Sequence, residues 1–234
     1  MMDAFPNDPP PALHALYATK PHGYFGHARQ EILPLVPGFA DTVLEIGCGE
    51  GATLDWLRST GRCRRTIGVE LSPTAAARAA QRVDLVIQGG VEGRTLPVEP
   101  ESVELLLLLD VLEHLVDPWS TLRSLVSLLR PGGTVVASIP NINHVSALMP
   151  LVLRGRWDYE DEGILDRSHL RFFVRSTAEE LLRGASLTIT QVAVNGLAWG
   201  SKGGLADRLT LGLLRRFFVE QYLIKATRPL PSTF

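Results

Sequence analysis

The chain has little of what marks a secreted, membrane-spanning or nucleic-acid-bound protein. Its 234 residues hold two cysteines, Cys48 and Cys63, too few for a disulfide framework. No apolar run approaches the ~20 residues of a membrane span. The leucine run Leu105–Leu109 stops at Asp110. A net charge of −2 supplies no broad basic surface for a phosphate backbone. Arg62, Arg64 and Arg65 form a dense basic cluster, but they fall between a predicted helix and a predicted strand and read as a solvated loop. The opening Met-Met-Asp-Ala-Phe-Pro-Asn-Asp-Pro-Pro-Pro has neither the basic region nor the apolar core of a signal peptide. There are no repeats, and no low-complexity tract beyond those prolines. These absences lead to the expectation of a cytoplasmic protein with no nucleic-acid partner and no membrane span. The 45% hydrophobic fraction is enough for an ordinary core.

What is present alternates. Residues 1–11 read as a disordered tail, and 12–36 as one or two short helices leading into the core. Strands are predicted over 43–46, 66–70, 84–88, 103–109 and 134–139. Helices over 51–59, 73–81 and 118–129 separate them. Ser72-Pro73 and Asp117-Pro118 are N-cap-plus-proline starts. The nearly all-leucine strand 103–109 is what a sheet covered on both faces requires. This β-α-β-α rhythm predicts a parallel sheet with helices on both faces. Residues 141–175, rich in His, Trp, Tyr, Asp and Arg, break it and read as an insertion over the sheet edge. A helix over 176–184, a strand over 187–194, a helix over 203–216 and a strand over 219–226 complete the chain. The apolar stripes of 144–153 and 205–218 suit packing on the sheet, with lids or membrane-surface helices as the other readings.

The most informative stretch is Val43-Leu44-Glu45-Ile46-Gly47-Cys48-Gly49-Glu50-Gly51. A strand running into a glycine-rich turn and then a helix makes a floor that a nucleoside can approach closely. Glu70, about 20 residues on at the tip of the next predicted strand, is placed to accept both ribose hydroxyls. An adenosine-bearing cofactor follows. Gly47, Gly49 and Ala52 also satisfy G-x-G-x-x-A, so a nicotinamide-dependent oxidoreductase is the alternative reading. Against it stand Glu45, a carboxylate at a strand end able to orient the turn or meet a ligand ammonium, and the polar run Asp110–His114. That run follows the fourth strand, at the edge where open α/β sheets bind ligands.

Four motifs in this order, Val43–Gly51, Gly68-Val69-Glu70-Leu71-Ser72, Asp110-Val111-Leu112-Glu113-His114-Leu115 and Leu129-Arg130-Pro131-Gly132-Gly133, resemble those of class I S-adenosylmethionine-dependent methyltransferases. The resemblance covers roughly residues 40–195. Leu165–Phe173 is similar to a segment of small-molecule members near the coenzyme Q O-methyltransferases. The resemblance implies a single methyltransferase domain over 12–234, with an α/β, Rossmann-like, doubly wound sheet of seven strands in the order 3-2-1-4-5-7-6, the last antiparallel. It implies S-adenosyl-L-methionine as cofactor, held by Glu45, Gly47, Cys48, Gly49, Glu70, Leu71, Gly90, Val91, Leu109 and Asp110. One departure is clear: family members often place an Asp where Gly90 stands, to contact the adenine amino group.

The implied reaction is in-line methyl transfer to a small-molecule acceptor, O-methylation first. A non-catalytic S-adenosylmethionine-binding protein is the remaining alternative. A hydroxyl acceptor calls for a base, and His169, His114 and His144 are the candidates, in that order of preference. Some coenzyme Q O-methyltransferases bind magnesium at Glu-x-x-Glu-His, which Asp110, Glu113 and His114 match with Asp in first place; the expectation here is no metal. Trp157 and Tyr159 are candidates for an aromatic wall facing the acceptor, and 141–175 for the acceptor side of the pocket.

Overall fold

The computed structural model describes residues 26–197 and 202–231. The expected tail over 1–11 lies outside them, as does most of 12–36; of the helices expected there, the described part shows one 3-10 turn, Gln30–Ile32. Seven strands form one sheet: β1 (Ala40–Ile46), β2 (Cys63–Glu70), β3 (Leu85–Gln88), β4 (Val103–Leu109), β5 (Leu129–Pro140), β6 (Thr188–Asn195) and β7 (Gln221–Thr227). Their order is β3-β2-β1-β4-β5-β7-β6. Strands β1 to β5 pair in parallel, and β7 runs antiparallel to both β5 and β6, as the resemblance implied.

Among the described residues there are six α-helices: α1 (Ala52–Ser59), α2 (Pro73–Ala79), α3 (Pro118–Leu128), α4 (Val145–Arg154), α5 (Arg175–Gly184) and α6 (Lys202–Leu209). The two N-cap signals are realised, with Ser72 accepting from the Ala75 amide and Asp117 from the Ser120 amide. Strand β4 explains why the core is two-sided. Side chains alternate along a strand, so Leu106 and Leu108 enter one cluster with Leu122 and Leu125 of α3 and Leu181 and Leu182 of α5. Leu105, Leu107 and Leu109 enter the other, with Leu54 and Leu57 of α1. A strand that buries both faces must be apolar along its buried length, and from Leu105 to Leu109 this one is; Glu104, near its start, is only half-buried and pairs with Arg130.

Two expectations need correcting. The helix expected over 203–216 ends at Leu209, because Leu211 (φ 51°) and Gly212 (φ 79°) turn the chain back and the Gly212 amide donates to the Asp207 carbonyl at 2.8 Å. The stripe over 144–153 does not pack on the sheet: α4 buries only Ala147 and leaves Met149, Leu151, Val152 and Leu153 exposed.

Because β7 is antiparallel, its first residue, Gln221, lies beside Pro140 at the carboxyl end of β5. That edge therefore gathers the ends of β1, β2, β4 and β5, the start of β7, and the turn Gln30–Ile32 together with Arg29.

Candidate active site at the carboxyl edge

A cavity of about 440 Å³ opens at this edge. Glu45, Gly47, Cys48, Gly49, Glu70, Leu71, Gly90, Val91, Leu109 and Asp110, the whole set named from sequence as cofactor candidates, line it together with His114.

Backbone geometry makes the floor. The amides of Gly47 and Cys48 both donate to the Val69 carbonyl, at 2.8 and 3.1 Å, and the Gly51 amide to the Cys48 carbonyl at 2.9 Å. Gly47, Gly49 and Gly51 all sit at positive φ, 69°, 56° and 78°. A Cβ on Gly47 would lie 2.9 Å from Val111, and on Gly51 2.6 Å from Val83. Neither place admits a side chain.

Glu70 locks this floor. Its carboxylate accepts from the Gly49 amide at 2.8 Å and the Ser72 amide at 2.7 Å. Burial pushes its pKa up, and these amides pull it back. The remaining lone pairs are those available to ligand hydroxyls.

Glu45 is nearly fully buried, and its Oε2 has no partner in the protein. Burial raises its pKa to about 8, against the opposing pull of Arg29. A buried carboxyl aimed into a cavity without a partner is poised for a cation from the ligand. Gly89, Gly90 and Val91, which follow β3, also line the cavity. Gly89 has φ 128° and Gly90 is not in the left-handed region, so the loop itself does not require glycine at position 90.

Arg29 was not found from the sequence. Its guanidinium lines the cavity and donates to Asp110 Oδ2 at 2.5 Å, to Ser138 at 3.2 Å and to Gln221 at 3.2 Å. Burial acts against its charge, but Asp110 and Glu31 outweigh this and raise its pKa. Asp110, itself at φ 57°, also accepts from the Ser138 hydroxyl at 2.7 Å and from the Gln221 amide. Its carboxylate is thus turned toward β5, β7 and Arg29. A lone arginine 81 positions from its partner leaves no periodic or motif signal to read.

The three histidines separate. His114 lines the cavity; His169 and His144 are not among its lining residues. His114 Nδ1 lies 3.1 Å from the Ser168 carbonyl, which can only accept, so Nδ1 carries the hydrogen and Nε2 is the proton-accepting nitrogen. His169 packs edge-on against His114, with ring centroids 4.7 Å apart, and its Nδ1 is 2.9 Å from the Ile164 carbonyl. His144 caps α4, 2.8 Å from the Ser146 hydroxyl, and burial lowers its pKa. Trp157 packs against Phe172, centroids 5.3 Å apart, and Tyr159 is half exposed; neither lines the cavity.

Beneath His114, Glu113 is 1% exposed and neither side-chain oxygen has a hydrogen-bond partner. Burial, then the neighbouring Asp110, holds its pKa well above the usual carboxylate range. Its backbone carbonyl accepts from the Leu170 and Arg171 amides at 2.8 and 2.9 Å, which pins the 164–173 segment beside the cavity. Glu113, His114 and His169 each offer one atom within 4.8 Å of the others. The trio matched from sequence, Asp110, Glu113 and His114, is not assembled as a ligand set, because Asp110 is committed to Arg29. The donor set that does converge, one carboxyl and two imidazoles, is chemically able to hold a divalent cation.

A family model described as a methyltransferase domain matches residues 17–192. The chain is 31% identical over 117 residues to the ubiquinone biosynthesis O-methyltransferase of Aeromonas salmonicida, covering 49% of each chain. It is 30% identical over 161 residues to the enzyme of that name from Cupriavidus pinatubonensis, covering 62% of this chain and 63% of that one. It thus spans about half to under two thirds of these relatives. Among solved structures, a SAM-dependent methyltransferase from Archaeoglobus fulgidus superposes with TM-score 0.62 at 17% identity, over 85% of this chain and 90% of that one. One from Mesorhizobium loti gives 0.60 at 19%, over 87% and 100%. The fold is theirs, and the match over 17–192 settles the family: the chain belongs to the methyltransferase-domain family, the class I enzymes that use S-adenosyl-L-methionine.

Proposed function

We propose that the chain transfers the methyl group of S-adenosylmethionine to the hydroxyl of a small-molecule acceptor. The observation that carries this reading is the juxtaposition, in one cavity, of the glycine floor with Glu45 and Glu70 and of His114 on the opposing wall. Glu70 receives the ribose hydroxyls, Glu45 the ammonium of the methionine part, and the Gly90–Val91 backbone borders the adenine. Arg29 lines the cavity with its charge met by Asp110 and Glu31, so its part is to hold Asp110 in place. The cofactor brings an activated sulfonium methyl, so the protein's remaining tasks are to position the acceptor and take its proton. His114 takes that role through Nε2, and His169 holds its ring in place; the earlier preference for His169 reverses because His114 faces the cavity. The choice of oxygen as acceptor atom draws support from the relatives named ubiquinone biosynthesis O-methyltransferase. The oxidoreductase reading loses its ground with the family assignment.

The test is radiolabelled methyl transfer from S-adenosylmethionine to 3,4-dihydroxybenzoate as a simple hydroxyl acceptor, in the parent and in His114→Ala. The parent is expected to form the methyl ether. His114→Ala is expected to lower the single-turnover rate by ~10²–10⁴-fold, the usual worth of a general base, with affinity for S-adenosylhomocysteine unchanged. An undiminished rate in His114→Ala rules out the base. Labelled product on nitrogen-bearing acceptors alone rules out O-methylation, and cofactor binding without transfer to any acceptor leaves a binding protein.

A further inference from the structure

Two segments of the carboxyl edge expose apolar side chains that the fold does not use. Helix α4 buries one residue of its ten. Val152 and Leu153 are 66% and 69% exposed. At the end of α6 and just past it, Leu209, Leu211 and Leu213 are 76%, 90% and 83% exposed. Exposing one leucine is ordinary; exposing this many on two neighbouring segments is the mark of an interaction surface.

The chain entering α4 and the chain leaving the 202–219 segment are tied together. Asn141, just before α4, donates through Nδ2 to the carbonyls of Arg216 and Val219, at 2.8 and 2.7 Å. A groove there is lined jointly by Asn143, Leu213, Arg215 and Arg216. The surface lies at the edge that also carries the cavity.

Its charge differs from that of the molecule. The chain as a whole is at −2. Residues 141–157 contain Arg154 and Arg156 and no acid; residues 202–219 contain Lys202, Arg208, Arg215 and Arg216 against the single acid Asp207. Acidic residues resume beyond α4 with Asp158, paired with Arg156 at 2.9 Å, and continue through Glu160, Asp161 and Glu162; the acid that lines the groove, Glu179, is paired with Arg175 and Arg183 at 2.8 and 2.7 Å. Leucines and valines rimmed by arginines suit the interface plane of a bilayer, with the apolar side chains among the acyl chains and the guanidinium groups at anionic headgroups. A second copy of this chain would set the same arginines against each other.

We infer that α4 and the 202–219 segment form a docking surface for an anionic lipid bilayer, which brings the cavity's edge to the membrane. The inference does not depend on methyl transfer. The full chain is sedimented with phosphatidylcholine vesicles, with and without phosphatidylglycerol, at low and high salt. It is expected to pellet with the anionic vesicles and to be released by salt. Leu211→Ser with Leu213→Ser, and separately Val152→Ser with Leu153→Ser, are expected to weaken binding about tenfold each, with unchanged far-UV circular dichroism because the replaced side chains are exposed. The inference is overturned if the parent stays in solution with anionic vesicles, or if both double variants bind as the parent does. It is also overturned if light scattering shows a parent dimer that either double variant dissociates, which would assign the surface to a second copy.

Discussion

The two walls of the cavity are built in opposite ways. The floor from β1 to the start of α2 is made of neighbours: a strand, a turn, a helix and the next strand tip, held by backbone amides and one carboxylate, Glu70. The opposing wall is assembled from afar. Glu113 receives amides from Leu170 and Arg171, His114 meets His169, and Arg29 reaches Asp110, Ser138 and Gln221. The first wall is rigid by conformation and the second by packing of buried polar groups. The comparison teaches where each kind of substitution acts: backbone changes disable the floor, and side-chain changes disable the far wall.

The floor breaks hardest at Gly49. Gly49→Val places a β-branched side chain at φ 56° and into the cavity. The conformational cost alone is ~1–3 kcal/mol, and the filled space adds to it. Calorimetry is expected to show no binding of S-adenosylhomocysteine, with a cooperative melting transition lowered by only several degrees, the size expected of that strain. Binding at parental affinity would place the cofactor elsewhere.

Glu70→Ala comes next. It removes the acceptor of two backbone amides and the proposed ribose acceptor together, so cofactor affinity is expected to fall by ~1.5–3 kcal/mol, roughly ten- to a hundredfold. Glu70→Gln should lie between, since it keeps one carbonyl acceptor. A variant affinity equal to the parent's would leave Glu70 a purely structural lock.

The smallest expected change is a gain. Gly90 does not occupy the left-handed region, so Gly90→Asp introduces no conformational strain of that kind. An added hydrogen bond to the adenine amino group is worth ~1 kcal/mol, under tenfold in affinity. Unchanged or weaker binding would show that the loop holds the adenine by backbone alone.

The contrast between the walls also explains what the sequence made legible. The leucine-rich β4 and both helix caps follow from local patterns, because periodicity and turn chemistry act over a few residues; the strand order and the full set of lining residues came through the resemblance of the four motifs to a known family. Arg29 could not be read, since its partners are distant in sequence. The ordering of the histidines could not be read either. His114 and His169 are 55 positions apart, and they meet where the Glu113 carbonyl accepts from the Leu170 and Arg171 amides, a contact between segments distant in sequence. The stripes over 144–153 and 205–218 showed amphipathic spacing correctly, but spacing does not say what covers an apolar face.

The central claim is that the glycine floor with Glu45 receives the methionine end of S-adenosylmethionine. Glu45 has its pKa raised to about 8 by burial, so with no ammonium beside it the carboxyl keeps its proton below that pH. The unfolded chain loses that proton near the ordinary carboxylate value, so this group's contribution to stability falls as pH rises from there through about 8. A ligand ammonium beside Glu45 favours the carboxylate and drives the proton out on binding. Affinity must then rise with pH below about 8. The measurement is calorimetric titration of S-adenosylhomocysteine between about pH 6 and about pH 7.5 in the parent and in Glu45→Gln, with NAD as the competing cofactor. The account predicts affinity rising toward tenfold per pH unit in the parent, the limit for one proton released, a flat profile in Glu45→Gln, and no binding of NAD. A parent profile as flat as that of Glu45→Gln, or tighter binding of NAD, would contradict it.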